Sequence, residues 1–294
     1  MKKYFSNIMI LASLLTAGAA LTACSDDQTL EEQNEVKTYQ VTVSAAKAGD
    51  AQTRALGFDG TSLNATWTAG DVIYAYNITQ DKAFSGSLVA QTGGAATTYF
   101  GGNLSYSGTI DPTDEILLFN KSAITYTGQV GTLFGTSGTS ISEKYDNFKG
   151  VGKATVTGSS IYIDDYYSAA DPVGFDAQQA IVKFTLVKSD GTTPLNATSL
   201  TVHTDDLGSN ILVQSYDNIT NAQTLGDITI TPASATNVIY AALASDFVGL
   251  GSPSYTVTLT AVEEGTGTTY SCMQTGVFLG RNNYYEITAK LNPL

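Results

Sequence analysis

The stretch Thr38–Ala45 reads TYQVTVSA. Successive side chains of an extended chain point to opposite faces. Tyr39, Val41 and Val43 therefore share one side, and Gln40, Thr42 and Ser44 share the other. The same alternation returns in AIVKFTLVK (180–188), SYTVTLTAV (254–262) and YYEITAKL (284–291). From Thr38 onward, short runs rich in Val, Ile, Thr and Tyr are broken roughly every 8–12 residues by Gly, Asn, Asp or Ser, the pattern of an all-β sandwich. No long stretch carries a helical stripe. The segment VEEGTGTTY (262–270) predicts a hairpin with a glycine-rich turn. A boundary is predicted within YYSAADPVGFD (166–176), where SSIYIDDYY gives way to Ala, Asp, Pro and Gly before AIVKFTLV begins. This divides the chain into a β-sandwich over 38–174 and a second over 175–294, each of ordinary size for that architecture.

Upstream the character changes. MKKYFSNIMILASLLTAGAALTAC (1–24) has a basic start, an apolar middle and small residues before Cys24. That is the layout of a secretory signal, expected over 1–23. The apolar run is short for a membrane span, which needs about 20 residues. A buried core helix is the plainer alternative. Leu21-Thr22-Ala23-Cys24 resembles the lipobox of bacterial lipoproteins. The resemblance implies that the Cys24 thiol is acylated and becomes the mature N-terminus. One acyl chain holds a membrane only marginally, and two or more hold it well. An ordinary secreted protein with a chance cysteine is the other reading. Ser25-Asp26-Asp27 resembles the acidic signal that sends Bacteroidetes lipoproteins to the outer face of the outer membrane. Residues 24–37 are polar and aperiodic, as expected of a flexible tether.

Acids outnumber bases, 27 to 14, for a formal net charge of −13. Such a surface argues against nucleic acid as a partner, because phosphates require Lys and Arg. With Cys24 committed to lipid, Cys272 has no cysteine partner, so a disulfide framework is ruled out. Cys272 reads as a small buried hydrophobe. His203 is the single histidine, and it has no glycine-framed serine beside it. Conventional Ser-His-Asp and Cys-His chemistry both depend on it, so no catalytic residue is assigned and the chain is read as a non-enzyme. One His and one free Cys are poor material for zinc, and no phosphate-binding glycine loop is present. No cofactor is expected. The pairs Asp164-Asp165, Asp205-Asp206 and Glu263-Glu264 read as solvated turns, with calcium in a loop as the alternative. The tyrosines, 17 in all, read as packing and cross-strand pairs, some of which could form a sugar-binding platform.

Five local signatures occur in order: the lipobox, Thr53-Arg54-Ala55 after the first strand, TWTAGDVIYAYN (66–77), FDAQQAIVKFTL (175–186) and GRNNYYEITAKL (280–291). Together they resemble the fimbrillin family of Bacteroidales, the stalk, tip and accessory subunits of type V fimbriae. The resemblance implies two transthyretin-like β-sandwich domains in tandem after a lipoprotein signal peptide. It implies attachment to the cell outer membrane, then assembly with other fimbrial subunits into a surface fimbrium for adhesion to host or bacterial ligands. In stalk subunits a trypsin-like protease cuts after an arginine near the start of the fold, and a neighbour's strand fills the groove that opens. Arg54, with Ala55 after it, is the position that fits, lying in the small, polar stretch AKAGDAQTRALGFDG; an ordinary surface arginine is the alternative. The run Tyr284–Leu291 is the expected donor strand. The other functional reading is a monomeric surface lipoprotein that binds glycans or host ligands.

Overall fold

The computed structural model describes residues 35–47, 57–58, 63–64, 66–135, 138–168, 171–206, 208–245 and 255–294. The expected signal peptide, Cys24, most of the tether, Arg54 and Ala55 lie outside them. The described chain is nearly all β, as its alternating pattern requires. The exception is a π-helical turn, Ile141–Tyr145, whose Glu143 carboxylate accepts from the Ser140 hydroxyl at 2.7 Å. Among the described residues no helix is long and apolar enough to cross a membrane.

Among the described residues most buried hydrophobic side chains fall into two clusters. The first is built around Trp67, whose ring meets Phe100, Phe148 and Phe175 edge-on at 4.8, 5.3 and 5.4 Å. Its strands form a ring of hydrogen-bonded neighbours. Val36–Lys47 pairs with Thr97–Ser107, which pairs with Leu88–Ala90, then Val72–Asn77, Glu115–Phe119, Phe148–Thr157 and Val173–Ala177, which returns to Val36–Lys47. Closing a sheet on itself removes its exposed edges. Crowding is greatest along Phe148–Thr157, where a Cβ on Gly150 or Gly152 would strike the carbonyl oxygens of Gly174 and Asp164. Only glycine fits a backbone passing that close to its neighbours.

The second cluster fills the space between two sheets. One has the order Val238–Leu243, Ala180–Val187, Tyr284–Lys290; the other runs Ile228–Ile230, Ala197–Asp205, Tyr255–Glu263, Thr269–Val277, Asn292–Pro293. The predicted hairpin is present as the antiparallel pair Tyr255–Glu263 and Thr269–Val277. Sequence order and packing order differ at two places. Phe175, which opens the expected second unit, packs in the first cluster. Ile124, Tyr126, Leu133, Ile141 and Tyr145, inside the expected first unit, pack in the second cluster.

The quoted motifs acquire physical reasons. In TWTAGDVIYAYN, Trp67 anchors the first cluster, and the Thr68 N–H donates to Asp71 Oδ2 at 2.9 Å across a turn in which Gly70 adopts φ +93°. In FDAQQAIVKFTL the chain passes from one cluster to the other. Phe175 belongs to the first, Ile181 and Phe184 to the second, and the polar step between them is a buried amide junction. There Gln179 Oε1 accepts from the Tyr126 hydroxyl at 3.2 Å and the Asn147 N–H at 3.3 Å, and Asn218 Nδ2 donates to Asn147 Oδ1 at 2.7 Å. Buried amides need such partners. In GRNNYYEITAKL, Asn282 takes φ 62°, the left-handed region that asparagine tolerates.

Candidate assembly site at the first strand

The alternation of TYQVTVSA places Tyr39, Val41, Val43 and Ala45 in the first cluster, all buried. The strand starts at Val36, earlier than the sequence pattern indicates. What distinguishes it is that both of its edges are bonded. On one side it runs antiparallel to Thr97–Ser107, in register from Val36 opposite Ser107 to Ala46 opposite Thr97. On the other it runs parallel to two strands in succession. Gln40–Val43 lie beside Ser160–Ile163, and Ala45–Lys47 beside Val173–Phe175. The Gln40 N–H donates to the Ser159 carbonyl on the second side, and the Lys47 N–H to the Ala96 carbonyl on the first. The strand is the stave through which the ring closes. Its end is packed as well, with Lys47 Nζ 4.6 Å from the centre of the Trp67 ring.

Removing this strand would uncover an apolar slot and leave backbone on three strands unpaired. Burial of Tyr39, Val41 and Val43 stabilises by roughly 1.5–3 kcal/mol each. The slot therefore stays filled unless another alternating strand competes for it. The expected donor, Tyr284–Leu291, is engaged within its own chain. It lies parallel to Ala180–Val187 from Tyr284 opposite Ile181 to Lys290 opposite Val187, and Ala289 and Leu291 are buried.

On the outer face of the stave stand two exposed tyrosines. Tyr99 is opposite Ser44 and 60% exposed; Tyr162 is opposite Thr42 and 50% exposed. They present aromatic surface on either side of the first strand.

The residues weighed for catalysis lie apart from this region. His203 is partly exposed, with Nδ1 2.7 Å from Asp227 Oδ1 and 3.1 Å from Asn210 Nδ2. Cys272 lies on another strand, where burial pushes its thiol up and so disfavours the nucleophilic thiolate. The acid pairs have structural partners: the Asp165 carboxylate accepts from the Tyr167 N–H, Asp205 from the Gly208 N–H, and Glu263 meets Lys188. Among the described residues no three His, Cys, Asp or Glu side chains gather as a metal site.

Sequence reading found the first strand and its buried face. It missed the parallel partners, Ser160–Ile163 and Val173–Phe175, because nothing in a local pattern reports which distant strand lies alongside.

No family model and no curated protein matches the chain. Among the solved structures similar to it are candidate cell adhesion proteins of Bacteroides and a fimbrial tip protein. With a candidate cell adhesion protein from Bacteroides uniformis it shares 13% identity at a TM-score of 0.42, over 88% of this chain and 96% of that one. For the Bacteroides ovatus counterpart the values are 11%, 0.43, 89% and 96%. For the tip fimbrial protein Mfa3 of Porphyromonas gingivalis, truncated at its C-terminus, they are 9%, 0.36, 86% and 95%.

Proposed function

We propose that the chain is a structural, non-enzymatic subunit of an adhesive surface fimbria. In this reading it is exported as a lipoprotein through Cys24, held at the outer membrane, and then assembled with other subunits by strand exchange. The observation that supports the reading is the first strand, which is bonded on both edges and closes the ring of the first cluster. The putting-in of a partner's strand would restore both its buried face and its backbone bonds, which is the physics of β-augmentation. Arg54 follows this strand within a stretch of small and polar residues, so a cut there would sever the stave from the rest of the fold. Two units in tandem, divided near residue 174, belong to the same proposal.

Immunogold electron microscopy of cells expressing the wild type, Cys24→Ala and Arg54→Ala tests it. Labelled filaments are expected for the wild type. Cys24→Ala should leave unprocessed precursor or released protein, and Arg54→Ala should leave lipid-bound monomer. Normal filaments from both variants would overturn the exchange route. The second reading, a monomeric lipoprotein that binds glycans, is favoured by Tyr99 and Tyr162 on the outer face. An even surface coat, with polysaccharide binding lost in Tyr99→Ala, would support it instead.

A further inference from the structure

The last long strand, Tyr284–Lys290, is an edge strand: among the described residues its sheet ends there. We propose that this edge is a self-recognition surface, on which a second copy of the chain pairs antiparallel about Thr288 to form a two-fold dimer.

The backbone phase sets which residues face outward. The Asn283 carbonyl accepts from Ile181 N–H, and the Leu291 N–H donates to the Val187 carbonyl. In a parallel ladder every second residue makes the bonds to one neighbour. The odd positions from Asn283 to Leu291 therefore bond to Ala180–Val187, and Glu286, Thr288 and Lys290 direct their N–H and C=O groups to the open edge. These same residues have exposed side chains. Antiparallel pairing centred on Thr288 sets Glu286 of each copy opposite Lys290 of the other. All three positions are then hydrogen-bonded pairs, as the outward groups require. Centring on Glu286 or on Lys290 instead would set like charges opposite each other, which destabilises a cross-strand pair. Centring on Ile287 or Ala289 keeps the same backbone phase but forfeits both Glu286–Lys290 pairs, so charge selects Thr288 among the registers that the backbone allows.

A lysine on a sheet edge commonly blocks strand addition. Here the glutamate four residues before it makes the edge complementary to itself. Glu286 remains ionised for the purpose, since the Tyr284 hydroxyl and Lys183 hold its carboxyl below the usual range. A second feature points the same way. Beside this edge lies a groove of about 450 Å³, lined by Leu259, Val277, Leu279 and Ile287 together with the polar Gln274 and Asn292. In the selected register the partner's Ile287 and Ala289 extend the inner face over it. A two-fold contact of this kind is isologous and closes at two copies. It is distinct from the head-to-tail exchange proposed above and does not depend on it.

Sedimentation velocity of the chain from Ser25 to Leu294, which retains every described residue, tests the proposal across a wide concentration range at low and high salt. A concentration-dependent dimer, weaker in salt, is expected. Glu286→Lys and Lys290→Glu should each weaken it by roughly tenfold, from two like-charge pairs per dimer. Their equimolar mixture and the double exchange Glu286→Lys/Lys290→Glu should restore it. Thr288→Pro should abolish it with circular dichroism unchanged, because that N–H makes no bond to Ala180–Val187. A wild type that stays monomeric throughout, or a dimer indifferent to the charge series, overturns the proposal.

Discussion

The first and last long strands are built from the same alternating chemistry, yet they hold opposite positions. Val36–Lys47 is bonded on both edges and closes a ring. Tyr284–Lys290 is bonded on one edge and ends a sheet. The difference is in exposure of backbone rather than in hydrophobicity. A strand closed on both sides can be exchanged only by full replacement. A strand open on one side can accept a partner without leaving its place. Strand exchange is therefore proposed at the first strand, and strand addition at the last.

Deleting residues 284–294 has the largest expected effect. The three-stranded sheet loses a member, and Ala289 and Leu291 leave the second cluster. Loss of that cluster's cooperative unfolding, or insoluble protein, is expected in calorimetry and limited proteolysis. A soluble, fully cooperative product would mean that the last strand is dispensable to its own sheet, and the contrast with the first would change meaning.

Next comes Trp67→Ala. Its ring is buried against three phenylalanines, so the loss should be about 3–5 kcal/mol. If the two clusters unfold separately, calorimetry should show one transition lowered and the other unmoved. A common downward shift would show that the buried amides around Gln179 couple them.

Proline substitution sharpens the edge comparison directly. The Thr42 N–H faces the parallel partner, in phase with Gln40. Thr42→Pro removes a ladder bond and leaves a buried carbonyl unsatisfied, at a cost of about 1–3 kcal/mol. Thr288→Pro removes only an outward N–H and should cost less than about 0.5 kcal/mol, as surface changes do. Chemical denaturation measures both. Equal losses would break the distinction between the closed and the open strand.

Acid should produce the smallest effect, with a different sign in each region. The Lys188 amine, then the Thr266 hydroxyl, hold the Glu263 carboxyl below its ordinary range. Its contribution is present above the unfolded glutamate value and is lost as pH falls through the depressed folded one. Desolvation raises Asp164 beside the first strand's neighbours. Its protonation favours the folded state as pH falls through that raised value. Thermal melts between about pH 3 and 6 should thus favour the first region relative to the second. Glu263→Gln should flatten the slope of the second.

The sequence by itself determined that the described chain is β, because period-two alternation leaves no helical stripe to bury. It also determined which faces go inside, as Tyr39, Val41 and Val43 illustrate. Beyond the local hairpin over 262–270, tertiary structure decided who pairs with whom. Parallel neighbours such as Val41 and Ile161 are far apart along the chain, and no local propensity encodes that register. It also decided that Ile124–Tyr145 packs with the later residues. Finally, it decided that TYQVTVSA is closed on both sides and YYEITAKL on one. Alternation specifies the two faces of a strand, but its two edges carry the same N–H and C=O groups in any sequence, so only the arrangement of other strands can cover them.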